Sequence, residues 1–335
     1  MADNKSNEHL LDELQKAAHT VQNITDNGGV LLAEQAEKFV IMAQEQQIIL
    51  PDARVEIVAR GQKELDTLGM DDVFLQPGTE DNTTLYTDPA TYLGDEAKAT
   101  TSKISLAPVY LEGRTAISRE ALRRNIEREN FADTLIQVIS SRAGYDMELL
   151  GVRGDTALPA TTKENKLLRL KMGYLKRVPS ANKVYWGGES FNPNVFAHVI
   201  NKVAAKYRRR MTECRLYVSH GIALAYQLWL SKNKATPAGD QAMVAGSVGS
   251  YMGVPVVGCD SLPDTTVGSA VYGKILFTKP KNLIWAIEDQ IEIEDEIIKA
   301  RNTMVIYFRA YVDPTVEVAA AMASCEDVAF EIEGS

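Results

Sequence analysis

The chain has 335 residues, 45% of them hydrophobic and 24% charged, and a formal net charge of −9. That length can bury a substantial core, and the balance is ordinary for a folded soluble protein, so a disordered chain is excluded. No run of about eighteen apolar residues occurs, so no segment reads as a membrane-spanning helix. The opening MADNKSNEHLLDELQ has neither the basic start nor the apolar centre of a signal peptide. Cys214, Cys259 and Cys325 are odd in number, widely spaced and never in a CxxC. They read as free thiols of a reducing cytoplasm, against a disulfide framework or a structural zinc site.

Residues 6–22 and 30–47 show helical spacing and are parted by Asn27-Gly28-Gly29. After Pro51, RVEIVAR (54–60) alternates as a strand does. The stretch 76–103 has only Tyr86, Tyr92 and two leucines as large apolar groups. It has no core of its own and is too long for an ordinary connection, so it reads as a disordered or extended loop ordered by a partner. KISLAPVYL (103–111) follows as a strand candidate.

The strongest expected element is a helix over about 119–150, roughly 48 Å long at 1.5 Å per residue. Ser118 stands where a cap belongs and Glu120 in the first turn. Leu122, Ile126, Phe131, Leu135, Ile139, Ala143, Met147 and Leu150 form its stripe. The stripe keeps no heptad, which argues for a strut and not a coiled coil. Gly151 then stands where a left-handed C-terminal cap wants glycine. The following Arg153-Gly154-Asp155 resembles a receptor-binding tripeptide or a phosphate loop. Phosphate binds at helix N-termini, and this loop closes a C-terminus, so the expected role is to stop the helix.

KLLRLKMGYL (166–175) alternates Leu168, Leu170, Met172 and Tyr174 with Arg169 and Lys171, which predicts a strand with one basic face. A helix is expected over Asn194–Arg210, ending in Arg208, Arg209 and Arg210. A strand at 215–219, a helix at 220–232 and a small-residue loop at 234–250 follow. GVPVVGC, VYGKILF, NLIWAIE, QIEIEDE and TMVIYFRAYVD make the last quarter mostly strand. Helices and strands do not alternate as βαβ units, so the fold class is α+β and a Rossmann or barrel enzyme is disfavoured.

No Walker loop, GxGxxG after a strand, GxSxG or HExxH occurs. His9, His19, His198 and His220 are scattered, with no nucleophile in register. Glu292, Glu294 and Glu296 would share one face of a strand and form a carboxylate row able to bind a divalent metal, but a solvated face or a subunit contact is the more ordinary use of such a row. Residues 163–183 hold seven bases and one acid, yet no aromatic platform is interleaved and the chain is acidic, so sequence-specific DNA reading is not expected. The first 100 residues hold nineteen acids and seven bases, and the remainder twenty-six and twenty-nine. The acidic excess therefore lies in the first third.

The order of elements resembles the major capsid proteins of tailed bacteriophages, the Hong Kong 97-type fold shared with encapsulins. The likeness is strongest over AISREALRRNIERENFADTLIQVISSRAGYDMELLGVRGDT (116–156). There Ser118, Asp146, Glu148, Gly151, Gly154 and Asp155 match a serine-initiated spine helix with acids near its end and a glycine turn. RLYVSHGIALAYQLW resembles the family's strand–helix pair. YMGVPVVGCDSLPD resembles its leucine-glycine-x-proline-valine strand, with Met252 in place of leucine. The terminal strands resemble those that close its peripheral domain.

The resemblance implies an amino-terminal arm at 1–50, an extended E-loop within 51–108, a peripheral domain at 109–175 and 288–335, and an axial domain at 176–287. It implies hexamers and pentamers of one chain in an icosahedral shell, double-stranded DNA enclosed without sequence reading, a portal, a separate scaffolding protein, assembly in the host cytoplasm and residence in the virion. No enzyme activity, cofactor or membrane is implied. Charge asymmetry then makes Asp71, Asp72, Glu80, Asp81, Asp95 and Glu96 candidate contacts to bases of neighbouring copies, with Arg169, Lys171, Arg208, Arg209 and Arg210 as the basic candidates. Ser118 and Gly151 are the structural candidates. An encapsulin compartment with protein cargo, and a metal-dependent enzyme using Glu292, Glu294 and Glu296, are the alternatives.

Overall fold

The computed structural model describes residues 47–59, 61–70, 99–118, 131–232, 249–288 and 292–330. The two expected amino-terminal helices (apart from Gln47), the 76–98 part of the polar stretch, the first turns of the long helix and most of the 234–250 loop lie outside them. In chain order the strands are β1 (Arg54–Val58), β2 (Lys63–Met70), β3 (Ala99–Leu106) and β4 (Val109–Ser118). Helices α1 (Phe131–Arg153), α2 (Lys163–Leu168) and α3 (Tyr174–Arg177) follow, then β5 (Lys183–Val184), α4 (Asn194–Lys202), β6 (Arg215–Val218) and α5 (His220–Lys232). The remainder is β7 (Ser250–Tyr251), β8 (Val254–Gly258), β9 (Thr265–Val267), β10 (Ala270–Thr278), β11 (Leu283–Glu288), β12 (Glu292–Ile298), β13 (Thr303–Val316) and β14 (Ala323–Ala329).

Two sheets organise these elements. In the first, β13 is the spine: β4 pairs along one side of it, and β12 and then β11 pair along the other, with β1 parallel to β11 at the edge. β4 alternates as a half-buried strand must, with Tyr110, Glu112, Arg114, Ala116 and Ser118 exposed. β11, by contrast, is apolar on both faces. Trp285 and Ile287 pack under α1, and Ile284 and Ala286 pack under Leu65 and Ile104 of the β2–β3 ribbon. α1 supplies Ile139, Ala143, Met147 and Leu150 to that shared core, which is the expected stripe.

The second sheet runs β5-β14-β10-β6-β8-β7, with β9 beside β10. Helices α4 and α5 cover one face, where Phe196, Tyr226, Tyr251 and Phe191 meet edge-to-face at 5.3–6.5 Å. Its other face joins the first sheet through Tyr217, Cys259, Leu262, Leu276, Leu283, Val316 and Met322. The β7–β8 turn puts Met252 and Gly253 at φ 51° and 81°, the paired positive values of a tight two-residue hairpin.

Several expectations are corrected. The strand expected over 103–111 is two strands parted at Ala107-Pro108. The strand expected over 166–175 is α2, a loop and α3. Thr162 caps α2 by accepting from the Asn165 amide at 3.1 Å, and Leu170 and Met172 are 40% and 43% exposed, so the apparent alternation buries no face. The helix expected to reach Arg210 stops at Lys202. Val203, 1% exposed, turns into the core in an extended conformation, so Arg208–Arg210 lie between two short 3-10 turns and not at a helix end.

Gly151 does not cap the long helix, which continues to Arg153. A Cβ there would meet Trp285 at 3.1 Å and Tyr174 at 3.4 Å, so glycine serves close ring packing. The helix ends at Gly154, whose Cβ would lie 2.3 Å from the Lys171 carbonyl oxygen. The backbones of Gly154 and Gly173 touch, with the Gly173 amide donating to the Gly154 carbonyl at 2.8 Å. Arg153 pairs with Glu164 at 2.6 Å and Asp155 with Lys176 at 2.9 Å, so the tripeptide's charges are used within the chain. β14, expected in the peripheral part, pairs with β10, and β11, expected in the axial part, pairs with β13. The chain changes sheet at 278–283 and again at 316–323, because hydrogen-bond pairing and not sequence proximity defines each layer.

Candidate functional site: the roots of two extensions

Three carboxylates hold the 48–52 segment and the β3–β4 junction to the folded body. Glu148, on α1, is 2% exposed, and its Oε2 accepts the amides of Ile48, Ile49 and Leu50 at 3.1, 2.9 and 3.2 Å. Hydrogen bonds to an ionised acceptor contribute about 1.5–3 kcal/mol each. Asp52 accepts from Arg215 and, at 2.9 Å, from the Tyr217 hydroxyl, tying the same segment to β6. Burial first, and then Asp52, push the Tyr217 phenol well above its usual range. Asp313, 2% exposed, accepts the Ala107 amide at 2.7 Å where β3 becomes β4, and the Lys171 ammonium lies 3.2 Å from its other oxygen.

The second anchored element is the β2–β3 ribbon. It pairs in register from Lys63↔Leu106 to Met70↔Ala99. Leu65 and Ile104 seat its base on Val58, Leu106, Ile284 and Ala286. Glu56 bridges β1 to the ribbon by accepting from Lys63 at 2.9 Å, and that bond, helped by Arg54, holds its carboxyl below the usual range against the opposing effect of burial. Lys103 and Glu64 pair across the ribbon at 2.7 Å.

The basic candidates do not converge. Lys171 is used internally by Asp313, Arg169 closes α2 with its backbone amide, Arg208 donates to Asn201 at 2.7 Å and Arg210 pairs with Glu213 at 2.9 Å. Arg209 is exposed. The acids Asp71, Asp72, Glu80, Asp81, Asp95 and Glu96 lie outside the described residues. Ser118 is the last residue of β4, and the helix start it was expected to cap is likewise outside.

Glu294 and Glu296 face β13, where each has its own partner: Arg309 at 2.9 Å and the Tyr307 hydroxyl at 3.1 Å. Glu292 sits on the same strand in register with Arg309. The row is thus a cross-strand ladder, and among the described residues no group of three or more His, Cys, Asp or Glu is placed to hold a metal. His220 pairs with Asp260, and His198 is exposed with its ring edge-on to Trp186 at 5.5 Å. The three cysteines are buried, and burial raises each thiol, Cys325 to about 12. Sequence reasoning missed Asp52 and Asp313 and the task of Glu148. The available signal was a carboxylate interrupting an apolar run, in MELL and in YVDP.

No family model matches the chain. It is 28% identical over 314 residues to the prophage capsid protein YqbE of Bacillus subtilis (strain 168), covering 92% of this chain and 96% of that one. Among solved structures, a chain of the satellite phage P4 procapsid superposes with a TM-score of 0.65 at 14% identity, over 99% of both chains. A chain of the SrpI encapsulin complex of Synechococcus elongatus PCC 7942 superposes at 0.51 and 10% identity, over 82% of this chain and 84% of that one.

The fold is therefore the α+β Hong Kong 97-type shell fold, which phage heads and encapsulins share. Over nearly its whole length the chain is also similar in sequence to a prophage capsid protein.

Proposed function

We propose that many copies of this chain close an icosahedral head, built of hexamers and pentamers, around double-stranded DNA. The observation that carries this reading is the correspondence with a prophage capsid protein over 92% of the chain, together with the β2–β3 ribbon and the 48–52 segment that buried carboxylates anchor. A closed shell repeats each modest contact by symmetry, and each subunit is held by several neighbours at once, so no single interface needs to be strong. The protein has a structural role and performs no catalysis in this reading. Assembly takes place in the host cytoplasm with a separate scaffolding protein and a portal, and the DNA is enclosed without its sequence being read. Acids of 71–96 face bases such as Arg208–Arg210 on neighbouring copies.

Electron microscopy of the purified protein, expressed alone and with neighbouring phage genes, tests the reading. Closed shells or capsomers are expected. A monodisperse monomer at every concentration and salt refutes it. The shared encapsulin fold motivates one second reading, a cellular compartment, and a protein cargo in place of DNA inside native shells would establish it.

A further inference from the structure

We propose that Glu148 is a positioning residue for assembly: its carboxylate fixes the backbone path of residues 48–50 against the folded body. The inference rests on the assembly reading above. One carboxylate oxygen takes three successive backbone amides, those of Ile48, Ile49 and Leu50, at 3.1, 2.9 and 3.2 Å. Successive amides aimed at one anion form a concave nest, which only one local path of the backbone permits.

Glu148 stands between Met147 and Leu150 on a helix face that is otherwise apolar, with 2% exposure and no Lys or Arg paired to it among the described residues. A carboxylate buried without a cation is costly unless hydrogen bonds compensate, and here the three amides are the compensation. Leucine at this position would leave the three amides without this acceptor. What the carboxylate adds is a hold on the arm root.

The neighbours of this segment hold it further. Downstream, Ile49 and Leu50 are 0% and 1% exposed, the Ala53 amide donates to the Ile49 carbonyl at 3.0 Å, and Asp52 binds Arg215 and Tyr217 of the second sheet. Upstream, the Gln47 side-chain amide donates to the Ser141 carbonyl at 3.5 Å. Ser141 lies seven residues, roughly 10 Å, nearer the start of α1 than Glu148. Gln47 therefore also touches α1. In a symmetric shell every copy repeats this anchoring, so a loosened root repeats its error in every copy.

The test is Glu148→Gln in the full-length chain, which keeps the size of the side chain and removes its charge. Hydrogen exchange is read on subunits, thermal unfolding on the same samples, and products by electron microscopy. The Ile48, Ile49 and Leu50 amides are expected to exchange at least about tenfold faster, as befits the loss of a charged acceptor. The amides of β6 and β10 are expected to stay protected as in the parent and the melting temperature to fall by only about 2 °C, as a tenfold loosening implies for a chain of this length, while the yield of uniform shells falls about tenfold and irregular products replace them. Unchanged exchange at the three amides overturns the proposal. So does loss of protection throughout β6 and β10, which would make Glu148 a folding residue. Faster exchange with undiminished uniform shells overturns it too, because the anchoring would then not matter to assembly. A parent protein that forms no shells refutes the assembly reading instead, and the exchange result still decides whether the clamp exists.

Discussion

Replacing Gly154 by alanine tests the closure of the long helix. The new Cβ would lie 2.3 Å from the Lys171 carbonyl oxygen, 2.7 Å from that of Leu150 and 2.8 Å from the Gly173 nitrogen. All three are backbone atoms, so no side chain can swing aside. Relief requires the 168–173 loop to separate from the helix end, which breaks the Asp155-to-Leu168 and Gly173-to-Gly154 hydrogen bonds, both 2.8 Å. Two such bonds are worth about 0.5–1.5 kcal/mol each, and overpacking costs about 1–3 kcal/mol more. The total is about 2–6 kcal/mol. At about 2.1 cal/mol/K per residue, a chain of this length unfolds with roughly 0.7 kcal/mol/K, so the melting temperature should fall by about 3–9 °C. Differential scanning calorimetry of the subunit reads this directly. Gly151→Ala is the control: alanine favours the helix by about 1 kcal/mol and needs only a few tenths of an ångström from the Trp285 ring, so a small change is expected. A Gly154→Ala melt within about 1 °C of the parent would refute the close-approach argument.

The Asp155 carboxyl is held low by the hydrogen bond from Lys176 and then by the Ala157 amide. A depressed carboxyl stabilises above its unfolded value of about 3.8 and loses that contribution as pH falls through its folded value, so Asp155→Asn should lower the melting temperature at pH 6–7 and converge with the parent near pH 2. The Cys214, Cys259 and Cys325 thiols are buried and raised, so native protein should resist alkylation at pH 8 while unfolded protein takes up three labels per chain, as mass spectrometry would count. Glu294→Gln removes a half-exposed pair with Arg309 and should cost less than about 1 kcal/mol in denaturant titration; a larger loss would mean that the ladder is more than a surface feature. If acids of 71–96 meet Arg208–Arg210 of other copies, shell yield should fall between 0.1 and 1 M salt, as the screening length shrinks from about 10 to about 3 Å, and Arg209→Ala should reduce that dependence.

The sequence by itself determined the elements whose patterning is local. The stripe through Ile139, Ala143, Met147 and Leu150 is a helix because a 3.6-residue period buries one face. NLIWAIE and TMVIYFRAYVD are strands because their apolar runs are too short for helices and rich in β-branched and aromatic residues. The order of those elements was enough to indicate the shell fold. KLLRLKM misled because period two arises by chance over few residues, and Thr162 capping with Gly173 interruption decided for helices. Only the tertiary structure decided the long-range matters: that Gly151 makes room for Trp285, that Gly154 meets Gly173, that β14 crosses to the second sheet, and that Glu148 reaches back to Ile48–Leu50. Each depends on two segments distant in sequence meeting in space. Side-chain periodicity records which face of an element is buried, but it does not record against what.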